Sequence, residues 1–136
     1  MVYKFDQLSF SFLVTKKKME TSKTFRDLIV WQKAHRLVLG SYKYSKGFPR
    51  EEMFGLTSHF RRAVVSIAAN IAEGFVKKSN LDKIRFLNIA QGSLEEVRYY
   101  LILASDLDYG KDNNLDELAT EVSKLINAYI NGIRSR

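Results

Sequence analysis

The chain has 136 residues and a mass of 15.7 kDa, enough for one domain with a packed core and too few for two domains of ordinary size. Its 46% apolar and 27% charged residues exclude an intrinsically disordered protein, and the absence of cysteine excludes disulfides, thiolate metal sites and a cysteine nucleophile. The net charge of +7 comes from residues 1–80, where 15 Lys/Arg against 6 Asp/Glu give +9, whereas residues 81–136 carry 7 against 9 and give −2.

Residues 1–23 are predicted to form a weakly ordered extension ahead of a single domain over residues 24–136. Lys4 and the apolar residues after it resemble the start of a secretory signal, but lysines at positions 16–18 stand where a cleavage site needs small residues. The most apolar stretch, Ala63 to Ala72, has ten residues, whereas a membrane-spanning helix needs about 20. We therefore expect a cytoplasmic protein without a membrane segment.

The single proline, Pro49, lies between two long segments with helical periodicity. We predict helices over about Phe25–Lys46 and Arg50–Gly74, because Gly47 and Pro49 disfavour continuation of the first one. The predicted apolar stripe of the first helix consists of Leu28, Trp31, Ala34, Val38 and Tyr42, and that of the second of Leu56, Phe60, Ala63, Val64, Ile67 and Ile71.

A third helix is predicted from Ser79 or Asn80, either of which is a good N-cap, to about Asp108. The polar turn at residues 109–114 separates it from a fourth helix that continues to the C-terminus. Because short connections make consecutive helices antiparallel neighbours, the sequence predicts an all-α, antiparallel, up-down-up-down four-helix bundle. The predicted stripes are Phe86, Ala90, Ser93, Leu94, Val97, Leu101 and Ala104 in the third helix, and Leu115, Leu118, Val122, Leu125, Tyr129 and Ile133 in the fourth.

The second helix carries an additional apolar face that a four-helix bundle does not need. Opposite its core stripe, small and apolar residues occupy positions that a solvated helix fills with long charged side chains, and the third helix also carries apolar residues away from its stripe. We therefore predict a homo-oligomer, with scattered apolar residues on a monomer surface as the alternative. The predicted interface residues are Val65, Ala69, Ala72, Tyr99 and Ile102, with Arg62 and Glu73 placed to pair between neighbouring copies.

No catalytic or metal-binding constellation is recognisable in the sequence. The residues three positions before His35 and His59 are Gln32 and Leu56, so the Glu-x-x-His motif of di-metal bundles is absent. His35 falls on the apolar side of the first helix, where a hydrogen-bonded structural histidine is expected. Convergence of the two histidines as an acid–base pair for RNA cleavage is the alternative. We predict a protein that is not an enzyme and uses no metal and no cofactor.

Basic residues on the first three helices point to a polyanionic partner such as RNA, DNA or anionic lipid. Such a set neutralises several phosphates, and an oligomer repeats it. No base-reading motif accompanies the basic residues, so recognition is expected to depend on shape and charge, with solvated helix faces as the alternative. The candidate nucleic-acid-binding residues are Lys33, Arg36 and Lys43 on the first helix, Arg61 and Arg62 on the second, and Lys77, Lys78, Lys83 and Arg85 around the turn into the third.

Several motifs in a fixed order resemble those of one protein family. They include DLIVWQKA at residues 27–34, FPREE at residues 48–52, NIAEG at residues 70–74 and GSLEE at residues 92–96. Over about residues 24–110 the chain resembles the four-helix-bundle proteins encoded in intervening sequences of bacterial 23S ribosomal RNA genes. His59, Ala68 and Asp108 stand where glutamine, proline and glycine are common in that family, which affects the expected helix geometry in detail and not the fold.

The resemblance implies an antiparallel four-helix bundle assembled as a homopentamer. It also implies a fold similar to that of the accessory variability protein of diversity-generating retroelements, a basic pentameric barrel that binds nucleic acid and a reverse transcriptase. The family has no established activity. We predict a non-enzymatic oligomeric module that binds nucleic acid, above all structured RNA, with a protein-interaction scaffold as the alternative.

Overall fold

A computed structural model describes residues 21–136, so most of the predicted N-terminal extension lies outside the described residues. This part of the chain is all-helical and contains no strand, and its helices pack against one another around a common core. None of its helices combines the length and the apolar character that crossing a membrane requires. The four long helices are α1 (Ile29–Ser45), α2 (Leu56–Phe75), α3 (Asn80–Asp106) and α4 (Asn113–Arg134), and short 3-10 helices occupy Phe25–Asp27 and Arg50–Glu52.

Side-chain caps set the beginning of three helical segments. Ser79 accepts a hydrogen bond from the Asp82 amide at the start of α3, and Asp112 accepts one from the Leu115 amide at the start of α4. The first predicted helix begins later than expected, because the capped 3-10 turn at Phe25–Asp27 is followed by the extended backbone of Leu28. The second likewise begins only at Leu56, since the segment after Pro49 forms a 3-10 turn.

The buried face of α1 differs from the predicted stripe. Val30, Ala34 and Leu37 are buried, whereas Tyr42, predicted to be in the core, is 39% exposed. A Cβ atom on Gly40 would lie 2.8 Å from Leu115 Cδ2, so α1 and the last helix are in close contact at this position. The buried residues of α1 are Val30, Ala34, Leu37, Ser41 and Ser45.

The predicted core of the other helices is largely confirmed. All six predicted stripe residues of α2 are buried, and in α3 the one difference is that Leu87 is buried while Phe86 is half-buried. Gly74 explains part of the close packing between α2 and α3, because a Cβ atom there would lie only 3.1 Å from Phe86 Cβ. In α4, Leu118 and Leu125 pack against the core from half-buried positions, and Ala119 and Ile126 are buried beside them.

An aromatic cluster closes the end of the bundle that contains the connection after α1 and the turn before α4. Tyr44 donates a hydrogen bond of 2.7 Å to the Gly110 carbonyl, and Tyr109 donates one of 2.9 Å to Glu52. The turn before α4 is therefore fixed to α1 through Tyr44 and to the connection after α1 through Glu52. The clustered rings are those of Tyr44, Phe48, Phe60 and Tyr109.

Candidate nucleic-acid interface

The three basic residues predicted on α1 divide into one paired and two unpaired cations. Lys33 is half-buried, and its Nζ lies 3.1 Å from Glu121 Oε1 on α4. Arg36 and Lys43 are exposed, and no ion pair or hydrogen bond of their side chains occurs within residues 21–136. Lys33 therefore joins two helices, and the positive charge that α1 offers to a partner belongs to Arg36 and Lys43.

The neighbouring arginines of α2 have different surroundings. Arg61 Nε donates a 2.8 Å hydrogen bond to Ser45 Oγ, and its guanidinium lies 4.7 Å from the centre of the Tyr42 ring. Arg61 therefore connects α2 to the end of α1. Arg62 points to another side of the helix and is exposed, with no ion pair among the described residues.

The turn between α2 and α3 combines cations with an aromatic ring. Lys77 Nζ and the Arg85 guanidinium lie 4.9 and 5.0 Å from the centre of the half-buried Phe86 ring. Arg85 also lies 3.7 Å from Asp82, an exposed pair that contributes little to stability. Lys78 is exposed and has no ion pair in the described part of the chain. The turn therefore brings Lys77 and Arg85 to one aromatic ring, with Lys78 next to Lys77 in the chain.

Lys83 belongs to the structural framework of that turn. Its Nζ donates hydrogen bonds to the carbonyl oxygens of Phe75 at 2.6 Å and Gly74 at 3.4 Å at the end of α2. The Gly74 carbonyl also accepts a hydrogen bond from the Lys77 amide. Burial lowers the pKa of this amine, and the positive charge of Arg136 lowers it further. The C-terminal Arg136 is therefore within electrostatic reach of the turn. The sequence alone does not bring the two together, because they are far apart along the chain.

The predicted oligomer interface is accessible on the single chain. Val65, Tyr99 and Ile102 are 41%, 56% and 60% exposed, Ala69 is exposed, and Ala72 is half-buried. Arg62 and Glu73 are exposed as well. These residues are accessible to a second copy.

An apolar groove lies beside the predicted interface, near the start of α2. It has a volume of about 620 Å³, and the side chains of Phe54 and Met53 at its edge are 90% and 53% exposed. Val65 and Arg62 line the same groove. Exposure of a phenylalanine to this degree marks a surface that a partner can cover. The sequence pattern missed Phe54, because it lies off the apolar stripe of the helix predicted to begin at Arg50.

The two histidines have separate surroundings. His35 is exposed and stacks on Trp31, with ring centres 5.0 Å apart and an angle of 6° between the ring planes. The expectation of a hydrogen-bonded histidine on the apolar side of the first helix is therefore wrong, because that helix turns this face outward. His59 is also exposed and lines a polar pocket between α2 and α3 to which His35 does not contribute.

This pocket between α2 and α3 has a volume of about 360 Å³. Sequence reasoning missed it, because none of its residues forms a recognisable motif and the pocket exists only where the two helices meet. Its described lining consists of His59, Arg62, Ala63 and Ser66 from α2 and Ser93, Glu96 and Tyr100 from α3.

Comparison with known proteins gives a family match over most of the chain. A family profile described as 23S rRNA-intervening sequence protein matches residues 26–131, which include all four long helices except the last residues of α4. No curated protein matches the chain.

Proposed function

We propose that this chain, which belongs to the family of 23S rRNA-intervening sequence proteins, is a non-enzymatic oligomeric module whose basic surface binds structured RNA. The observation that carries the proposal is the unpaired state of the exposed cations. Arg36, Lys43, Arg62 and Lys78 have no ion pair among residues 21–136, although the chain contains 15 acidic residues. Unpaired exposed cations attract a polyanion and release its counterions on binding.

The proposed protomer is an antiparallel, up-down-up-down bundle. This arrangement is supported by the order of contacts between α2 and α3, where Ser66 is hydrogen-bonded to Ser93 while Gly74, further along α2, lies against Phe86, further back in α3. Between α3 and α4 the order is similar, since Arg98 contacts Thr120 while earlier Gln91 contacts later Asn127.

The proposed assembly is the homopentamer that the resemblance implies. It is supported by the accessible apolar residues Val65, Tyr99 and Ile102 and by the small residue Ala69 on the same helix as Val65. Burial of apolar side chains of this size would contribute about 25 cal/mol per Å² of apolar surface removed from water. An assembly would also repeat the basic surface in every copy and raise the affinity for a long RNA.

The test is a titration of the purified protein with ribosomal RNA fragments at 50 and 200 mM salt. Each phosphate contact should weaken binding by about 3.5-fold between these two concentrations, because the affinity falls with salt in proportion to the number of counterions released. The double variant Arg36→Gln, Lys43→Gln should bind more weakly and with a smaller salt dependence. Lys124→Gln, which removes an exposed lysine from α4, is the matched control and should behave like the wild type. Absence of binding, or binding that ignores salt, would contradict the proposal.

The apolar groove supports a second candidate function, a scaffold that acts through a protein partner. Phe54 at the edge of this groove is 90% exposed on the single chain. If a partner protein covers the groove, Phe54→Ser should abolish its capture from cell extract, and nuclease treatment should leave the capture unchanged. RNA binding that persists in Phe54→Ser would then separate the two functions.

A further inference from the structure

We propose that the polar pocket between α2 and α3 binds a single nucleotide whose base carries an exocyclic amino group, with Arg62 and His59 facing its phosphate and Glu96 facing its base. This inference deepens the proposed RNA binding and rests on it. A pocket of about 360 Å³ falls within the range of roughly 300–1,000 Å³ that is typical of small-molecule sites. The pocket is built from two helices of one chain.

The floor of the pocket offers a hydrogen-bond donor. Ser66 Oγ and Ser93 Oγ lie 2.8 Å apart and share one hydrogen bond, and Asn70 Nδ2 donates to Ser66 Oγ at 3.0 Å. Two hydroxyl groups have two hydrogen atoms, and the bond between them uses only one. Neither serine has another acceptor among the described residues, so one hydroxyl hydrogen is available to a ligand. When Ser66 is the donor in the shared bond, the unused hydrogen belongs to Ser93, which is only 8% exposed, and a donor there is costly without a partner.

One wall of the pocket contains the carboxylate of Glu96, which can accept hydrogen bonds. Tyr100 donates a hydrogen bond of 3.3 Å to Glu96 Oε2, and no partner of Glu96 Oε1 occurs within residues 21–136. Burial raises the pKa of Tyr100, and the charge of Glu96 and this hydrogen bond raise it further, so the phenol remains a donor at neutral pH. The free oxygen of Glu96 can therefore accept a hydrogen bond from a ligand N–H group.

The opposite wall offers positive charge and further donors. Arg62 and His59 are both exposed, and neither side chain has an ion pair or a hydrogen bond in the described part of the chain. An arginine guanidinium matches the geometry of a phosphate group, and a histidine ring N–H group can donate a hydrogen bond to a phosphate oxygen. Since the Glu96 carboxylate would repel a purely anionic ligand, the fitting ligand has an anionic end and an N–H donor end. A nucleotide with an amino-bearing base combines the two.

Cytidine and uridine monophosphates provide a matched pair of probes. They share the phosphate and the ribose, and they differ where cytosine has an N4 amino donor and uracil has an O4 acceptor. A carboxylate accepts a hydrogen bond from the cytosine N4 group and repels a carbonyl oxygen. We therefore expect the wild-type protein to bind cytidine monophosphate about tenfold more tightly than uridine monophosphate in a titration followed by NMR, in line with the value of one hydrogen bond to a charged group.

The variant Glu96→Gln should remove this preference, because an amide can donate to uracil O4 as well as accept from cytosine N4. Glu95→Gln is the matched control, since Glu95 is the adjacent exposed carboxylate, lies 3.8 Å from Arg98 and does not line the pocket. It should keep the tenfold preference. Ribose 5-phosphate, which lacks a base, should bind more weakly than cytidine monophosphate.

Equal binding of the two nucleotides, an unchanged preference in Glu96→Gln, or no nucleotide binding would overturn the inference. The ribosomal RNA titration on the same preparations separates the two proposals. Salt-dependent RNA binding without base preference would leave the proposed function standing and reject the pocket. A base preference that depends on Glu96, without binding of ribosomal RNA, would support the nucleotide pocket and reject the proposed RNA-binding function.

Discussion

The clearest consequence of the structure is that two lysines of the same basic turn should have opposite roles. Lys83 donates hydrogen bonds to the carbonyl oxygens of Phe75 and Gly74 at the end of α2, whereas Lys78 is exposed and unpaired among residues 21–136. Substitution by methionine keeps most of the side-chain length and removes the charged donor. Lys83→Met should therefore affect stability, and Lys78→Met should affect RNA binding.

The expected magnitudes follow from these contacts. A hydrogen bond from a charged donor contributes about 1.5–3 kcal/mol. Burial lowers the pKa of Lys83, with a further contribution from Arg136, so desolvation offsets part of this gain. We expect Lys83→Met to lower the free energy of unfolding by about 1 kcal/mol, which corresponds to a decrease in Tm of about 4 °C for a domain of this size. Lys78→Met should change stability by less than about 0.5 kcal/mol.

RNA binding should be weakened by Lys78→Met and left nearly unchanged by Lys83→Met. If Lys78 contacts a phosphate, Lys78→Met should reduce the slope of log K against log salt by about 0.9 for each copy in contact with the RNA. Lys83→Met should leave the slope close to that of the wild type. Thermal unfolding and RNA titration of the three proteins at several salt concentrations provide both quantities. A Lys83→Met protein as stable as the wild type but with a reduced slope would refute this assignment.

Four further predictions concern assembly, packing and pH. Ala69→Arg should dissociate the proposed oligomer by placing a long cation on its interface, and an unchanged mass in light scattering would count against that interface. Gly92→Ala should increase the free energy of unfolding by up to about 1 kcal/mol and so raise the Tm, because alanine is the better helix former. A Cβ atom at this exposed helical position meets nothing within 4 Å. Gly74→Ala should lower the Tm despite the better helix former, since its Cβ would lie 3.1 Å from Phe86 Cβ. Burial raises the pKa of Tyr129 to about 12, so its stabilising contribution is complete below pH 10 and is lost as the pH rises towards 12. Between pH 8 and pH 11 the wild type should lose about 1.4 kcal/mol more than Tyr129→Phe in urea unfolding, and parallel losses would contradict the assigned pKa.

The contacts of the basic residues in the candidate interface could not be predicted from the sequence. The pattern of basic residues could be read directly, yet Lys33, Arg61 and Lys83 make contacts that join helices or satisfy a helix end. Their partners are Glu121, Ser45 and Phe75, and the paired residues are between 8 and 88 positions apart in the chain. A periodicity argument places a side chain on a face of its own helix, and it cannot identify what the neighbouring helix presents there.

The sequence by itself determined the number of long helices, their approximate ends and the core of α2, because apolar spacing, Pro49 and the cap Ser79 are local signals. Only the tertiary structure decided which face of α1 is buried, because this depends on where α2 and α4 pack against it. It also decided that Ser66 and Ser93 meet in a pocket, since hydrogen bonds between helices need both surfaces in place.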